Sequence, residues 1–389
     1  MPTHSIDQDL DLLYEIGTFR HIRRGWSQLS NARFQNLTEH AYRRLWVALI
    51  LSGYTRATID VAKILKISLY SDIYKLRCGD PHYVSYPNIS QDQNKATREI
   101  FSGTVFERES IKLSNEYANR KTTESKIVYS ANAVENRVEL KELAVGGVEL
   151  AKTWSESNDK SILPKMPFKN ARKLWKAIQK ANPNNWHLSS PNRFDFAHSP
   201  QQKMNDTLAD ADFLFEIGCL RYSDRLWMQF LGDIVSNLTE HHYRTVWLAL
   251  MLANTLKDVN HRKVIIMSML HDVPEIRSID ANYLSHQYIK RDKNKAMEET
   301  CKHVSIKKTL LDLWKEFEDG NSTESRIVKE ADYLEPILEI KELEASGMSV
   351  ARDWLKMNTK RLRGKLQFDH SRELFEIMLK SDPNAWHLN

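Results

Sequence analysis

A chain of 389 residues is long enough for two domains, each with a core of ordinary size. Its 56 basic and 51 acidic residues leave a formal net charge of +5. That mild excess suits an anionic small molecule and supplies no long basic stripe for nucleic acid. Cys78, Cys219 and Cys301 form no close pair and no zinc-knuckle spacing, the first residues do not read as a signal peptide, and no apolar run reaches membrane-spanning length. A soluble, cytoplasmic protein with no membrane partner is therefore expected.

In chain order, Asp11 to Gly17 is apolar with scattered acids and opens a helix. A basic turn carrying Arg24 and Trp26 follows. Thr38-Glu39-His40 leads into Leu45 to Leu51, an apolar run without proline that predicts a buried helix. Ile59, Val61, Ala62, Leu65 and Leu69 have helical spacing, and this helix ends at Ser71-Asp72-Ile73-Tyr74-Lys75. A Lys/Glu-rich helical stretch runs to about residue 120. Glu124 to Leu143 then reads as one long amphipathic helix, and a last helix around Leu174-Trp175 closes on Asn182-Pro183.

The same order then returns, displaced by about 200 residues. Asp11 to Gly17 returns as Asp212 to Gly218, Asn36 to His40 as Asn237 to His241, and Thr123 to Val128 as Thr323 to Val328. Such a period is too long for a solenoid unit and indicates duplication of a whole domain. The Pro-, Ser- and Asn-rich stretch between the copies reads as a linker. The expected division is a first domain at 1–188, a linker at 189–208 and a second domain at 209–389. No period-two alternation is sustained anywhere, so the expected fold class is all-α, as two tandem helical bundles.

The second copy carries the residues with metal chemistry. His241 begins its buried helix. His271-Asp272 closes the next one, and Asp332 lies beside the apolar face of the long helix. Two imidazoles and two carboxylates suit a first-row divalent ion with open positions for water and substrate. The spacing alone leaves a second reading open: a helix-capping aspartate and packed histidines. His242, next to His241, must point elsewhere. Glu275 and Asp280 follow close behind the His-Asp pair, and Arg225-Leu226-Trp227 repeats the basic, aromatic turn.

Leu238-Thr239-Glu240-His241, His271-Asp272-Val273-Pro274-Glu275 with Asp280, and Lys329-Glu330-Ala331-Asp332-Tyr333-Leu334 carry a resemblance. In this order the segments resemble those of the HD-domain metal-dependent phosphohydrolases, and within them the HD-domain 5′-deoxynucleotidases. The resemblance implies that His241, His271, Asp272 and Asp332 bind one divalent metal ion (Mn, Co, Mg, Zn, Fe or Ni). It implies acid–base roles for Glu275 and Asp280 and substrate binding by Arg225 and Trp227. The implied activity is release of phosphate from (deoxy)nucleoside 5′-monophosphates. Hydrolysis of triphosphates and non-catalytic nucleotide binding are the alternatives. Because single-domain members pair as homodimers, the resemblance also implies that the two copies pack as an intramolecular pseudo-dimer.

In the first copy Ser71 stands where His271 would be, Asn132 where Asp332 would be, and Lys75 where Glu275 would be. His40, Asp72 and Asp80 remain. Only the second copy is expected to hold metal, with Lys75 balancing Asp72 or Asp80 in the first. A retained phosphate pocket at Arg24, Trp26 and Lys75 is the alternative for the first copy.

Overall fold

The computed structural model describes residues 4–30, 32–188, 206–232 and 235–388. Helices form where the caps and periodicity direct them, and no β-strand forms among the described residues. The first copy supplies α1 (Ile6–Gly17), α2 (Leu37–Gly53), α3 (Val61–Tyr70), α4 (Glu107–Asn119), α5 (Thr123–Val145), α6 (Glu149–Ser161) and α7 (Ala171–Lys180). The second supplies α8 (Asp206–Gly218), α9 (Leu238–Asn254), α10 (His261–Leu270), α11 (Lys307–Asp319), α12 (Thr323–Ala345), α13 (Ser349–Arg363) and α14 (Asp369–Met378). The expected linker lies outside the described residues as far as residue 205, and residues 206–208 already belong to α8.

Each copy starts its helices with the same chemistry. Asn36 with Glu39 and Asn237 with Glu240 form capping boxes on α2 and α9. Asp60 and Asn260 cap α3 and α10, and Thr122 and Ser322 cap α5 and α12. Buried on nearly every side, α2 and α9 are the central helices of their bundles. They also pack against each other, so one hydrophobic core runs through both copies.

The contacts between copies come in pairs related by a pseudo-twofold axis, as in an isologous dimer. Asn36 Nδ2 donates to Glu240 Oε1 at 2.6 Å, and Asn237 Nδ2 donates to Glu39 Oε1 at 3.0 Å. Arg20 Nη2 lies 4.0 Å from Glu342 Oε2, and Arg221 Nη2 lies 3.6 Å from Glu142 Oε2. Gly17 lies against the Arg244 guanidinium and Gly218 against that of Arg43. A Cβ at either glycine would collide with the arginine of the other copy. This close approach explains why glycine stands at this position in both copies. The terminal helices are exchanged as well: α1 packs on α14, and α8 packs on α7. Trp247 of α9 is fully buried against Tyr70, Phe101 and Phe106 of the first copy. Truncating such a side chain to alanine costs about 3–5 kcal/mol.

Candidate metal centre

Three helical elements converge on one point in the second copy. His241 comes from the first turn of α9, His271 and Asp272 follow the end of α10, and Asp332 projects from α12. One ligand atom from each lies within 4.8 Å of the others. His241 Nε2 is 3.1 Å from His271 Nε2, 3.2 Å from Asp332 Oδ1 and 3.9 Å from Asp272 Oδ2. His271 Nε2 is 3.5 Å from the Oδ2 of Asp272 and 3.5 Å from the Oδ1 of Asp332.

The surroundings fix which nitrogen of each ring faces inward. His241 Nδ1 lies 2.5 Å from Glu335 Oε2, and His271 Nδ1 lies 2.8 Å from the Ser268 carbonyl oxygen. With each Nδ1–H donating outward, both Nε2 lone pairs point at the shared space, as metal-ligating imidazoles require. Asp332 and Glu335 are three residues apart on one face of α12, so one helix supplies both an inner carboxylate and the carboxylate that orients His241. Glu335 is held in turn by Arg244 Nε at 2.9 Å and Arg225 Nη1 at 3.2 Å. The cluster's demand for positive charge shows in its titration. Burial and Arg225 pull the His241 imidazole down, yet Glu335 and Asp332 outweigh them and raise it to about 9. Burial opposes ionisation of Asp332, but the His241 and His271 side chains hold its carboxyl well below the usual range. The residues present therefore fit a divalent ion.

The first copy contributes to this centre from across the interface. Tyr42 OH donates to the Met269 carbonyl at 2.6 Å, and its ring stacks on His242 at 5.3 Å. His242, which is not part of the ligand cluster, packs edge-on against His271 at 4.5 Å. A tyrosine of one copy thus braces a ligand of the other.

A cavity of about 560 Å³ opens over the cluster. His241, Asp272 and Asp332 contribute to its lining, together with Arg225, Trp227 and Asp280. Asp280 is fixed by Leu226 N–H at 2.9 Å and Ala281 N–H at 2.7 Å. Arg225 lies over the Trp227 ring at 4.4 Å, and its Nη1 is shared between Glu335 and Glu339. Glu275 is turned away from the cavity. It pairs with Lys293 and Arg291, each at 2.8 Å, and Lys293 also reaches Asp272 at 3.1 Å. Burial, with the charges of Asp272 and Asp280, raises the Glu275 carboxyl to about 7 against the pull of Lys293. The sequence reading missed Trp354, which stacks on Trp227 at 5.7 Å and completes the aromatic wall. It also missed Glu335. Both repeat in the first copy, as Trp154 and Glu135, and that recurrence was the available signal.

The equivalent place in the first copy is filled by protein. Arg44, which stands where α9 has Thr245, turns its guanidinium into the space between His40, Asp72 and Asn132. It is fully buried, ion-paired with Asp72, 3.5 Å from His40 Nε2 and 3.3 Å from Asn132 Oδ1. Its other nitrogens donate to Ser68 Oγ at 3.3 Å and the Ser68 carbonyl at 2.8 Å. Lys75 does balance the acids as expected, 3.0 Å from Asp72 and 2.9 Å from Asp80. Arg24 is likewise engaged with Asp80 at 3.1 Å and Asn136 at 3.0 Å.

A family model described as HD domain matches residues 16–157 and again 217–368. The chain belongs to the HD domain family. Both copies are HD domains, in tandem, and the donor set of the second suits the metal-dependent phosphohydrolase chemistry of such a fold. Among curated proteins, the chain is 29% identical over 140 residues to the 5′-deoxynucleotidase HDDC2 of Mus musculus, spanning 34% of this chain and 68% of that protein. Against the 5′-deoxynucleotidase HDDC2 of Dictyostelium discoideum it is 25% identical over 131 residues, 30% of this chain and 68% of that protein. Among solved structures, a conserved hypothetical protein from Pyrococcus furiosus is 23% identical, covering 44% of this chain and 99% of that one, with a TM-score of 0.37. No helix among the described residues is long and apolar enough to cross a membrane.

Proposed function

We propose that the protein is a phosphomonoesterase, that its second HD domain releases phosphate from (deoxy)nucleoside 5′-monophosphates, and that its first domain is a non-catalytic brace. One observation carries this reading: the His241, His271, Asp272, Asp332 cluster borders a cavity that also presents a fixed carboxylate and an aromatic wall. His241, His271, Asp272 and Asp332 would hold a divalent ion, which would supply acidification of a water and polarisation of the phosphoryl group. Asp280, pinned by two backbone N–H groups, is the carboxylate at hand to orient the attacking water or pass a proton to the departing ribose oxygen. Trp227 and Trp354 offer an apolar surface to sugar or base, and the Arg225 guanidinium lends positive charge at the cavity wall. The likeness to proteins named 5′-deoxynucleotidases supports the choice of a monophosphate.

Glu275 acts through its neighbours as a positioning residue, holding Lys293 against Asp272. Glu275→Ala is expected to lower turnover about 10–100-fold, the usual effect of removing such a support, with metal content unchanged. Metal analysis beside initial rates checks this, and loss of metal in proportion to rate would contradict it. The substrate assignment is tested with chelator-stripped protein reloaded with Mn²⁺ or Co²⁺ and offered nucleoside mono- and triphosphates. Phosphate released from deoxynucleoside monophosphates is the expected result, whereas nucleotide binding without turnover would sink the reading.

A further inference from the structure

The two copies differ at one corner where their symmetry predicts likeness. In the corner beneath α8, Asp210 accepts a hydrogen bond from Tyr54 OH at 2.5 Å and from Ser305 N–H at 2.8 Å. Asn170 closes over it, donating to the Tyr54 carbonyl at 2.8 Å. Asp210, Tyr54 and Asn170 thus each have a protein partner there.

The matching corner beneath α1 has kept the acid and its backbone donor but changed the side chains around them. Asp9 replaces Asp210 and accepts from Val105 N–H at 2.9 Å, the counterpart of the Ser305 bond. Thr255 stands where Tyr54 would be, and no phenol reaches the carboxylate. His370 stands in place of Asn170. A cavity of about 510 Å³ takes up the room, lined by His4, His370, Thr255 and Glu107 among others. His4 Nε2 contacts Asp9 Oδ2, and the His4 and His370 rings lie 5.9 Å apart. His370 Nε2 is buried with no hydrogen-bond partner. Asp9 is fully buried. Ligand atoms of His4, Asp9 and His370 all lie within 4.8 Å of one another.

We infer that His4, Asp9 and His370 form a second metal site, structural in role, that takes a borderline divalent ion of the zinc type and ties the segment before α1 to α14. Two neutral imidazoles and one carboxylate are the donors such an ion prefers, and the cavity leaves room for a water as fourth ligand. The ion satisfies the His370 nitrogen and the Asp9 charge together, the task that Tyr54 performs at the other corner. The site joins the two ends of the pseudo-dimer, so occupancy stabilises the fold and not the reaction.

Zinc content of the intact chain, after chelator treatment, reloading and dialysis, tests this independently of the proposed catalysis. Two zinc ions per chain are expected in the wild type. His370→Asn, which installs the residue found at the other corner, and His4→Ala, at a more exposed position, are each expected to hold one. Both should still release phosphate, and each should show a smaller rise in Tm with zinc than the wild type does. His271→Ala should lose the other ion, and His271→Ala with His370→Asn should hold none. Zinc content unchanged in either His4→Ala or His370→Asn overturns the site, whatever His271→Ala does.

Discussion

Asp272→Ala, and separately His271→Ala, is expected to abolish metal-dependent phosphate release while the helical content and Tm stay close to wild type. The four ligands come from three segments, and each makes one of four contacts, so no neighbour takes over a lost donor. Removing a group that merely supports a ligand costs about 10–100-fold, so removing a ligand should cost more than about 100-fold. The fold is expected to survive for local reasons. Lys293, which pairs with Asp272, keeps Glu275 as a partner at 2.8 Å. His271 is packed by His242, which the first copy holds through Tyr42. Initial rates after chelator treatment and metal reloading check the claim. Wild-type rates in the Asp272 variant would move the centre elsewhere.

The second large effect lies in the first copy, where Arg44 does the work of an ion. Arg44→Leu removes a buried guanidinium that bonds to Asp72, Asn132 and Ser68. Breaking one side of a buried ion pair costs about 3–5 kcal/mol. Lys75 still contacts Asp72, so the lower end of that range is expected, read as a shift in the urea midpoint. An unmoved midpoint would mean that Arg44 is not the built-in cation. The converse experiment rebuilds the lost centre. Arg44→Thr with Ser71→His and Asn132→Asp copies the second site onto the first and should add one tightly held metal per chain. The single change Ser71→His should add none, because the guanidinium still fills the space.

On the proposed reading, the first domain persists as a brace for the second. It buries Trp247, pairs Asn36 with Glu240, and braces His271 through Tyr42 and His242. These contacts tie the geometry of the second site to the pseudo-dimer. A homodimer would supply the same support from a second chain.

The sequence by itself determined the duplication, the helical class and the four side chains that meet in the second copy. These are local properties. Helical periodicity and capping residues such as Asn237 with Glu240 act within a few turns, and the His, His-Asp, Asp order places each donor at a defined point on its own helix. Comparing the copies residue by residue also marked Ser71, Lys75 and Asn132 as places where the first copy departs from the donor set of the second. The tertiary structure alone decided what stands in its place, because an arginine in an apolar helical run carries no mark of the distant acid it will meet. Asp72 lies on a different segment from Arg44, and only the packing of α2 against α3 brings them together. For the same reason only the packed chain showed Glu275 facing Lys293 and not the cavity, and Trp354 stacked on Trp227. The corner of His4, Asp9 and His370 is the extreme case, since its residues come from opposite ends of the sequence and meet only because the two copies exchange their terminal helices.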